Sequence, residues 1–401
     1  PHTGRGAGVR GQLVTDQIRD YLDARLDDYL AELEPLVNQD SGSYDKAGVD
    51  IVTARLQDRF ERMGFAVERA KQERFGDDLI ARRHGKGGAK IMLLGHADTV
   101  FPAGTTAQRP MSLGEDRIFG PGTCDMKAGI LAGIYAIDAL DHVGWDKYGL
   151  ITFLIVSDEE IGERHSVELL MREGEQHDAV LTLEAARENG DIVTARKAGC
   201  WLTVTAQGKA AHAGVEPEKG RSATLAIANI IVNTFALNGR KPGMTVNPGE
   251  ISGGRAPNIV SAEASAHFDL RAWTNADLED LVAEFRRVAQ AQPVPDVTIT
   301  ITQDPGSGCP AMERTPGVVR LEEAAVRIAG ELGFPLKGAA TGGGSDISFA
   351  GHAGTPGLDG LGPIGGLDHG PDEYVVTSSV APRIALLAKL MMEIEPREGR
   401  A

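Results

Sequence analysis

Apolar residues at Leu13, Ile18, Leu22, Leu26, Tyr29, Leu30 and Leu33 recur at helical spacing and predict a helix over residues 13–37. A second helical stretch, Ala47 to Met63, stops before Gly64. Short β-type runs follow at Ala66–Val67, Leu79–Ala81 and Lys90–Leu94. Residues 128–141 read as a helix, and Leu150–Val156 and Ala179–Leu183 as buried strands. Strands alternating with helices predict an α/β domain with a parallel or mixed sheet flanked by helices.

The pattern changes after Glu184. Trp201–Ala206 alternates as a half-buried strand, and an apolar helix runs from Ser222 to Leu237. Glu250–Ser252 and Ala262–Leu270 read as strands, Asn275–Gln292 as a helix and Val297–Thr302 as a last strand. This strand-helix-strand-strand-helix-strand order is that of a split βαβ unit. The α/β pattern then resumes with a helix at Pro316–Leu332, a glycine-rich loop and a helix at Ser378–Met392. The expected organisation is therefore an α/β domain in two pieces, residues 1–197 and 309–401. An inserted α+β, ferredoxin-like domain occupies residues 198–308.

Bulk properties narrow the function. At 401 residues the chain exceeds the usual size of one core, so two domains are the default. A net charge of −16 argues against nucleic acid and anionic membranes as partners, because no cationic footprint exists to neutralise phosphates. No apolar run approaches the roughly 20 residues needed to span a bilayer. Cys124, Cys200 and Cys309 are too few and too scattered for a disulfide framework. They point to a reducing compartment, and a cytoplasmic location is expected.

Candidate chemistry gathers at strand ends. The run Leu93–Val100 ends an apolar strand in His96-Ala97-Asp98, where alternation puts His96 and Asp98 on one side and Asp98 can fix the imidazole tautomer. Asp125 lies in Gly120-Pro121-Gly122-Thr123-Cys124-Asp125 before a helix, where an N-cap is the plainer role. Three acids, Asp158, Glu159 and Glu160, follow the strand ending at Val156. Glu184 ends another strand, and His369 sits in the loop Asp368–Glu373. Each motif is weak alone; an isolated His-x-Asp is more often a turn. Together, two histidines and several carboxylates suit a two-metal site with ions roughly 3.5 Å apart. Cys124 as a nucleophile is the competing reading.

At these residues the sequence resembles the co-catalytic zinc aminoacylase and carboxypeptidase superfamily. The resemblance runs through GHADTVFPAG, FGPGTCDMK, SDEEIG, GKAAHAG, TGGGSD and DHGPDEY, and is greatest to the bacterial glutamate carboxypeptidase branch. It implies two Zn2+, with Co2+ or Mn2+ as possible substitutes. It implies His96 and Glu184 on one ion, His369 and Glu160 on the other, and Asp125 bridging both beside a cis peptide to Met126. Asp98 would orient His96, and Glu159 would be the general base. His212 would help stabilise the oxyanion across a homodimer formed through the insert. Arg271, Asn258 and the loop containing Gly344 would hold the substrate.

Two departures stand out. Met126 replaces the second acid often found after the bridging Asp, as related members also show. Residues 303–308 carry no arginine where the glutamate carboxypeptidase branch tends to place one. The expected activity is hydrolysis of an amide next to a free carboxylate, in a peptide or N-acyl amino acid. A glutamate-carboxypeptidase-like exopeptidase comes first, and an N-acyl-amino-acid deacylase or dipeptidase second. A non-catalytic metal-binding scaffold is the remote alternative.

Overall fold

The computed structural model describes residues 4–397. The chain divides into two compact units, and neither is continuous in sequence. Within the described residues, the first comprises 4–194, 314–340 and 345–397; the second comprises 195–313 and 341–344.

A six-stranded mixed sheet organises the first unit. Its strand order is Ala66–Ala70, Asp78–His84, Leu150–Val156, Lys90–His96, Ala179–Thr182 and Gly357–Leu358. The last four strands run parallel to one another, and the first two are antiparallel additions. Ile91 to His96 and Ile151 to Val156 are buried without alternation, as expected for strands covered on both faces. Helix Ala128–His142 lies directly against the end of one strand. A Cβ on Gly129 would come within 1.8 Å of the Leu183 carbonyl oxygen, so only glycine permits this approach.

Predicted elements and observed ones differ in two instructive places. The helical pattern over residues 13–37 is two helices, Gly4–Asp23 and Leu26–Val37, which meet at a turn at Ala24–Arg25. The apolar spacing continues across this break because both helices face the same core. A small antiparallel sheet of Ser112–Leu113, Arg117–Phe119, Gly365–Gly366 and Tyr374–Val376 has strands of two or three residues, too short to show a period.

Asp77 anchors the antiparallel edge. Its buried carboxylate meets Lys46 at 2.7 Å, Lys71 at 2.9 Å and Arg69 at 3.6 Å, and accepts the Gln72 N–H at 3.1 Å. Burial raises its pKa, but the two lysines and the backbone N–H outweigh that and hold the carboxyl well below the ordinary range. Asp77→Asn should lower stability by about 2 kcal/mol at pH 7, the low end for a buried pair because Lys71 stays largely exposed. A depressed carboxylate contributes stability above its unfolded pKa of about 4 and loses it as pH falls toward the folded value. Urea unfolding of both proteins should therefore show a gap that narrows below pH ~4; a gap of equal size at pH 7 and pH 3 would contradict this role.

The second unit contains an antiparallel sheet in the order Thr245–Gly253, Glu263–Ala272, Ala198–Gln207, Thr298–Gln303. Helices Ala223–Phe235 and Asn275–Gln290 pack on one face of it. The core joins Leu202, Val204, Phe268 and Leu270 from the strands to Ile227, Ile230, Leu281 and Phe285 from the helices. Ser222 and Thr274 cap the two helices by accepting the Leu225 and Asp277 N–H groups.

Candidate metal centre

Three neighbouring parallel strands of the first unit deliver acids and a histidine at their carboxyl ends, the usual place for a site in an open α/β sheet. His96 closes the central strand, Glu159 and Glu160 follow one neighbour, and Glu184 follows the other. Asp125 arrives from the segment Thr123–Lys127, where its own φ/ψ are non-helical and its peptide bond to Met126 is cis. His369 arrives from the glycine-rich loop. Its φ of +64° and that of Leu367 at +57° lie in the left-handed region, which L-residues seldom adopt.

The side chains form two groups around one carboxylate. Asp125 Oδ1 lies 3.0 Å from His96 Nε2, and Asp125 Oδ2 lies 3.1 Å from His369 Nε2. Glu184 Oε1 is 3.5 Å from the same His96 nitrogen, and Glu160 Oε2 is 3.2 Å from the same His369 nitrogen. His96 Nδ1 faces the Asp98 carbonyl oxygen at 3.1 Å and the Asp98 carboxylate at 3.4 Å. Asp98 Oδ2 in turn accepts from Ser43 Oγ at 2.6 Å and from the Glu160 N–H.

Electrostatics mark the site as short of positive charge. Burial pushes Glu159 well above the ordinary carboxylate range; His96 opposes this, while Glu184, Glu163 and Asp125 add to it. Glu184 is pushed up to about 7 by burial and by Asp125. Glu160 is raised by burial too. Asp125 and Glu160 pull His369 up to about 11. Burial opposes a rise at His96, but Asp125, Asp98 and Glu184 overcome it. Glu160 Oε1 is buried without a partner. Imidazole nitrogens converging on carboxylate oxygens, with an orphaned oxygen left over, are the donor set of a divalent cation site. His96, Asp125 and Glu160 each offer a ligand atom within 4.8 Å of the others.

Glu373 is a residue to which the sequence assigned no role. Its buried carboxylate accepts the N–H groups of Gly122 at 2.9 Å, Cys124 at 2.7 Å and Asp125 at 3.0 Å. It therefore ties the Asp125 segment to the loop that carries His369, four residues away. The only signal was an acid inside DHGPDEY. Ser43, the donor to Asp98, gave none. Cys124 is buried, and burial with nearby carboxylates pushes its thiol far above the range of a nucleophile.

The chain belongs to peptidase family M20/M25/M40.

The profile of that family matches residues 92–393. Carboxypeptidase G2 of Pseudomonas sp. (strain RS-16) is 30% identical over 369 residues, 90% of this chain and 88% of that protein. Succinyl-diaminopimelate desuccinylase of Methylorubrum extorquens (strain PA1) is 28% identical over 358 residues, 84% of this chain and 91% of that protein. Among solved structures, aminopeptidase PepT of Bacillus cereus ATCC 10987 superposes with a TM-score of 0.80 at 24% identity, covering 92% of this chain and 98% of that one. The protein is thus a metal-dependent hydrolase of the carboxypeptidase and aminoacylase type, and its mixed α/β fold is that of the family. No helix among the described residues is long and apolar enough to cross a membrane.

The remaining predicted residues lie in the second unit. Ala211–His212 pairs with Ile259–Val260, and the Asn258 carbonyl accepts the Ala213 N–H, so His212 and Asn258 are neighbours. The exposed His212 accepts the Gly214 N–H at Nδ1, which leaves the proton on Nε2. Arg271 forms an ion pair with Asp269: Nε and Nη2 each donate to the carboxylate at 2.9 Å. Its Nη1 donates to the Gly342 carbonyl at 2.6 Å. Three of the five guanidinium N–H groups are thus engaged and two remain. Gly344 sits where a Cβ would come within 2.6 Å of Cys309 Sγ.

Proposed function

We propose that the protein is a two-zinc exopeptidase that cleaves the amide bond of a peptide or N-acyl amino acid next to a free carboxylate. The observation that carries this reading is the single Asp125 carboxylate reaching both His96 and His369, each with its own glutamate. His96, Glu184 and Asp125 Oδ1 would hold one ion, and His369, Glu160 and Asp125 Oδ2 the other. Bound there, two divalent cations supply Lewis-acid polarisation of the scissile carbonyl and acidify the attacking water. The raised pKa values of Glu159, Glu160 and Glu184 support the reading, because carboxylates crowded without cations resist ionisation.

Glu159 is the general base. It has no histidine partner among the described contacts, unlike its neighbour Glu160. It takes the proton of the attacking water and returns it to the leaving amine. Asp98 keeps the His96 tautomer fixed. His212, with its N–H at Nε2, donates to the oxyanion from the partner subunit. The two remaining N–H groups of Arg271, with Asn258 and the backbone at Gly344, hold the substrate carboxylate.

The insert, residues 198–308, acts as the dimerisation domain. Leu225, Val232 and Phe235 of its first helix and Ile251 of its edge strand expose large apolar surfaces that support a second copy as partner. Three free cysteines support a reducing, cytoplasmic setting.

Within this class, the likeness to carboxypeptidase G2 supports the carboxypeptidase reading, and the motif resemblance to the glutamate carboxypeptidase branch makes a C-terminal glutamate the first leaving group to test. The likeness to desuccinylases supports the second reading, removal of an acyl group from an amino acid. A panel of N-acyl amino acids, dipeptides and aroyl-glutamates should show release of free glutamate at the highest kcat/KM. Turnover only of acyl amino acids other than glutamate would exclude the carboxypeptidase reading and leave the deacylase.

A further inference from the structure

A second cluster of titratable side chains lies behind the acids that follow strand Leu150–Val156. Asp78, Asp158 and His165 place one polar atom each within 4.8 Å of the others. Asp78 and Asp158 are buried, and the imidazole is 13% exposed. His165 Nδ1 lies 2.9 Å from Asp158 Oδ2, and Nε2 lies 3.1 Å from Asp78 Oδ1. The ring stacks on Phe75 with an interplanar angle of 12°. Ser157 Oγ, 3.3 Å from Nε2, completes its surroundings.

An oxygen of a different carboxylate faces each ring nitrogen. Both nitrogens can donate only when the ring is an imidazolium. Burial alone would lower its pKa, but Asp158 and Asp78 overcome this and push it up to about 9. The two contacts differ: Nε2 has hydrogen-bond geometry toward Asp78 Oδ1, whereas Nδ1 meets Asp158 Oδ2 at ion-pair distance and lacks hydrogen-bond geometry. Asp78 Oδ2 and Asp158 Oδ1 are likewise buried without hydrogen-bond partners, and the ring is the cationic group that lies between the two acids.

The same Asp158 oxygen accepts the backbone N–H groups of His165 at 2.6 Å and Ser166 at 3.3 Å. The Asp158 carbonyl accepts the Glu163 N–H at 3.0 Å. The chain from Asp158 to Ser166 thus folds back on Asp158, through left-handed Gly162 and Glu163. Glu159 and Glu160 form the outer turn of this closed loop. Its far side is fastened to strand Asp78–His84 through His165 and Asp78.

We infer that His165 is a positioning residue: as a cation between Asp78 and Asp158 it clamps the Asp158–Ser166 loop so that Glu159 and Glu160 face the metal centre. The inference rests on the roles of Glu159 and Glu160 given above. Without the ring, two buried carboxylates confront each other uncompensated, and the loop has every reason to open.

The test compares wild type with His165→Phe, which keeps the ring on Phe75 but loses both N–H groups, and with His165→Asn, which keeps one donor near Asp158. In His165→Phe, kcat should fall roughly 10- to 100-fold with KM within about threefold, as for a displaced base. Zinc retained after dialysis against a fixed chelator concentration should fall as well, since Glu160 is on the same turn. His165→Asn should recover part of both losses and serves as the test if the phenylalanine variant does not fold. Wild-type kcat and zinc retention in either folded variant, or a loss confined to KM, would overturn the clamp. Glu159→Gln, assayed alongside, separates the two claims. If it is inactive while the His165 variants are normal, only the clamp falls. If it turns over as wild type does, the assignment of the base has failed.

Discussion

Glu159→Gln should lose roughly 10²- to 10⁴-fold in kcat while KM and zinc content stay near those of wild type. The substitution replaces an oxygen that can accept the proton with an NH2 that cannot, and keeps the size of the side chain. Glu159 follows the strand end at Val156, next to Glu160, whose carboxylate meets His369 at 3.2 Å. Crowding by Glu184, Glu163 and Asp125 adds to burial in raising its pKa, which gives it the affinity for a proton that a base needs. A split result is informative. A fall in zinc content together with kcat would make Glu159 a ligand rather than the base. A normal kcat would remove it from the chemistry.

Stripping the metal should have the largest effect of all. Prolonged chelation should abolish hydrolysis, and activity should return in proportion to zinc added up to two equivalents per chain. The reason is the charge inventory around Asp125: Asp98, Glu159, Glu160 and Glu184 crowd two histidines at the carboxyl ends of the parallel strands. In the absence of cations, protons must compensate these acids, which is what the raised values at Glu159, Glu160 and Glu184 express. The metal-free protein should also melt at lower temperature, because binding to the folded state alone stabilises it. Full activity after complete removal of metal would contradict the reading.

The sequence carried the inner part of this site further than its support. His96, Glu160 and Glu184 were legible because each follows an apolar run, and the carboxyl ends of neighbouring parallel strands converge. Asp125 and His369 were legible only through ordered motifs, since no local pattern says that two loops 244 residues apart will meet at 3.1 Å. Glu373 escaped for the same reason: its partners are backbone N–H groups 248 to 251 residues away, which have no side-chain identity to read. His165 had no assigned role, because its partner Asp78 comes from another strand, 87 residues away. Arg271 illustrates the opposite case. Its partner Asp269 lies two positions away on the same strand face, where alternation alone brings the two side chains together.

The fold followed the same division. Long periodic helices such as Pro316–Leu332 declared themselves, with Thr315 as cap, Pro316 at the first turn and Gly333 in the left-handed region beyond the end. Helix Val167–Gln176 was not anticipated: it has ten residues, and the large apolar side chains it buries are the adjacent pair Leu169 and Leu170, too few to show a helical period.

The central claim is that one aspartate holds two ions. Anomalous diffraction at the zinc edge from crystals of the zinc-loaded enzyme tests it most directly. The account predicts two peaks about 3.5–4 Å apart, one on each side of the Asp125 carboxylate, the first beside His96 and Glu184 and the second beside His369 and Glu160. A single peak, or a pair that does not share Asp125, would contradict it.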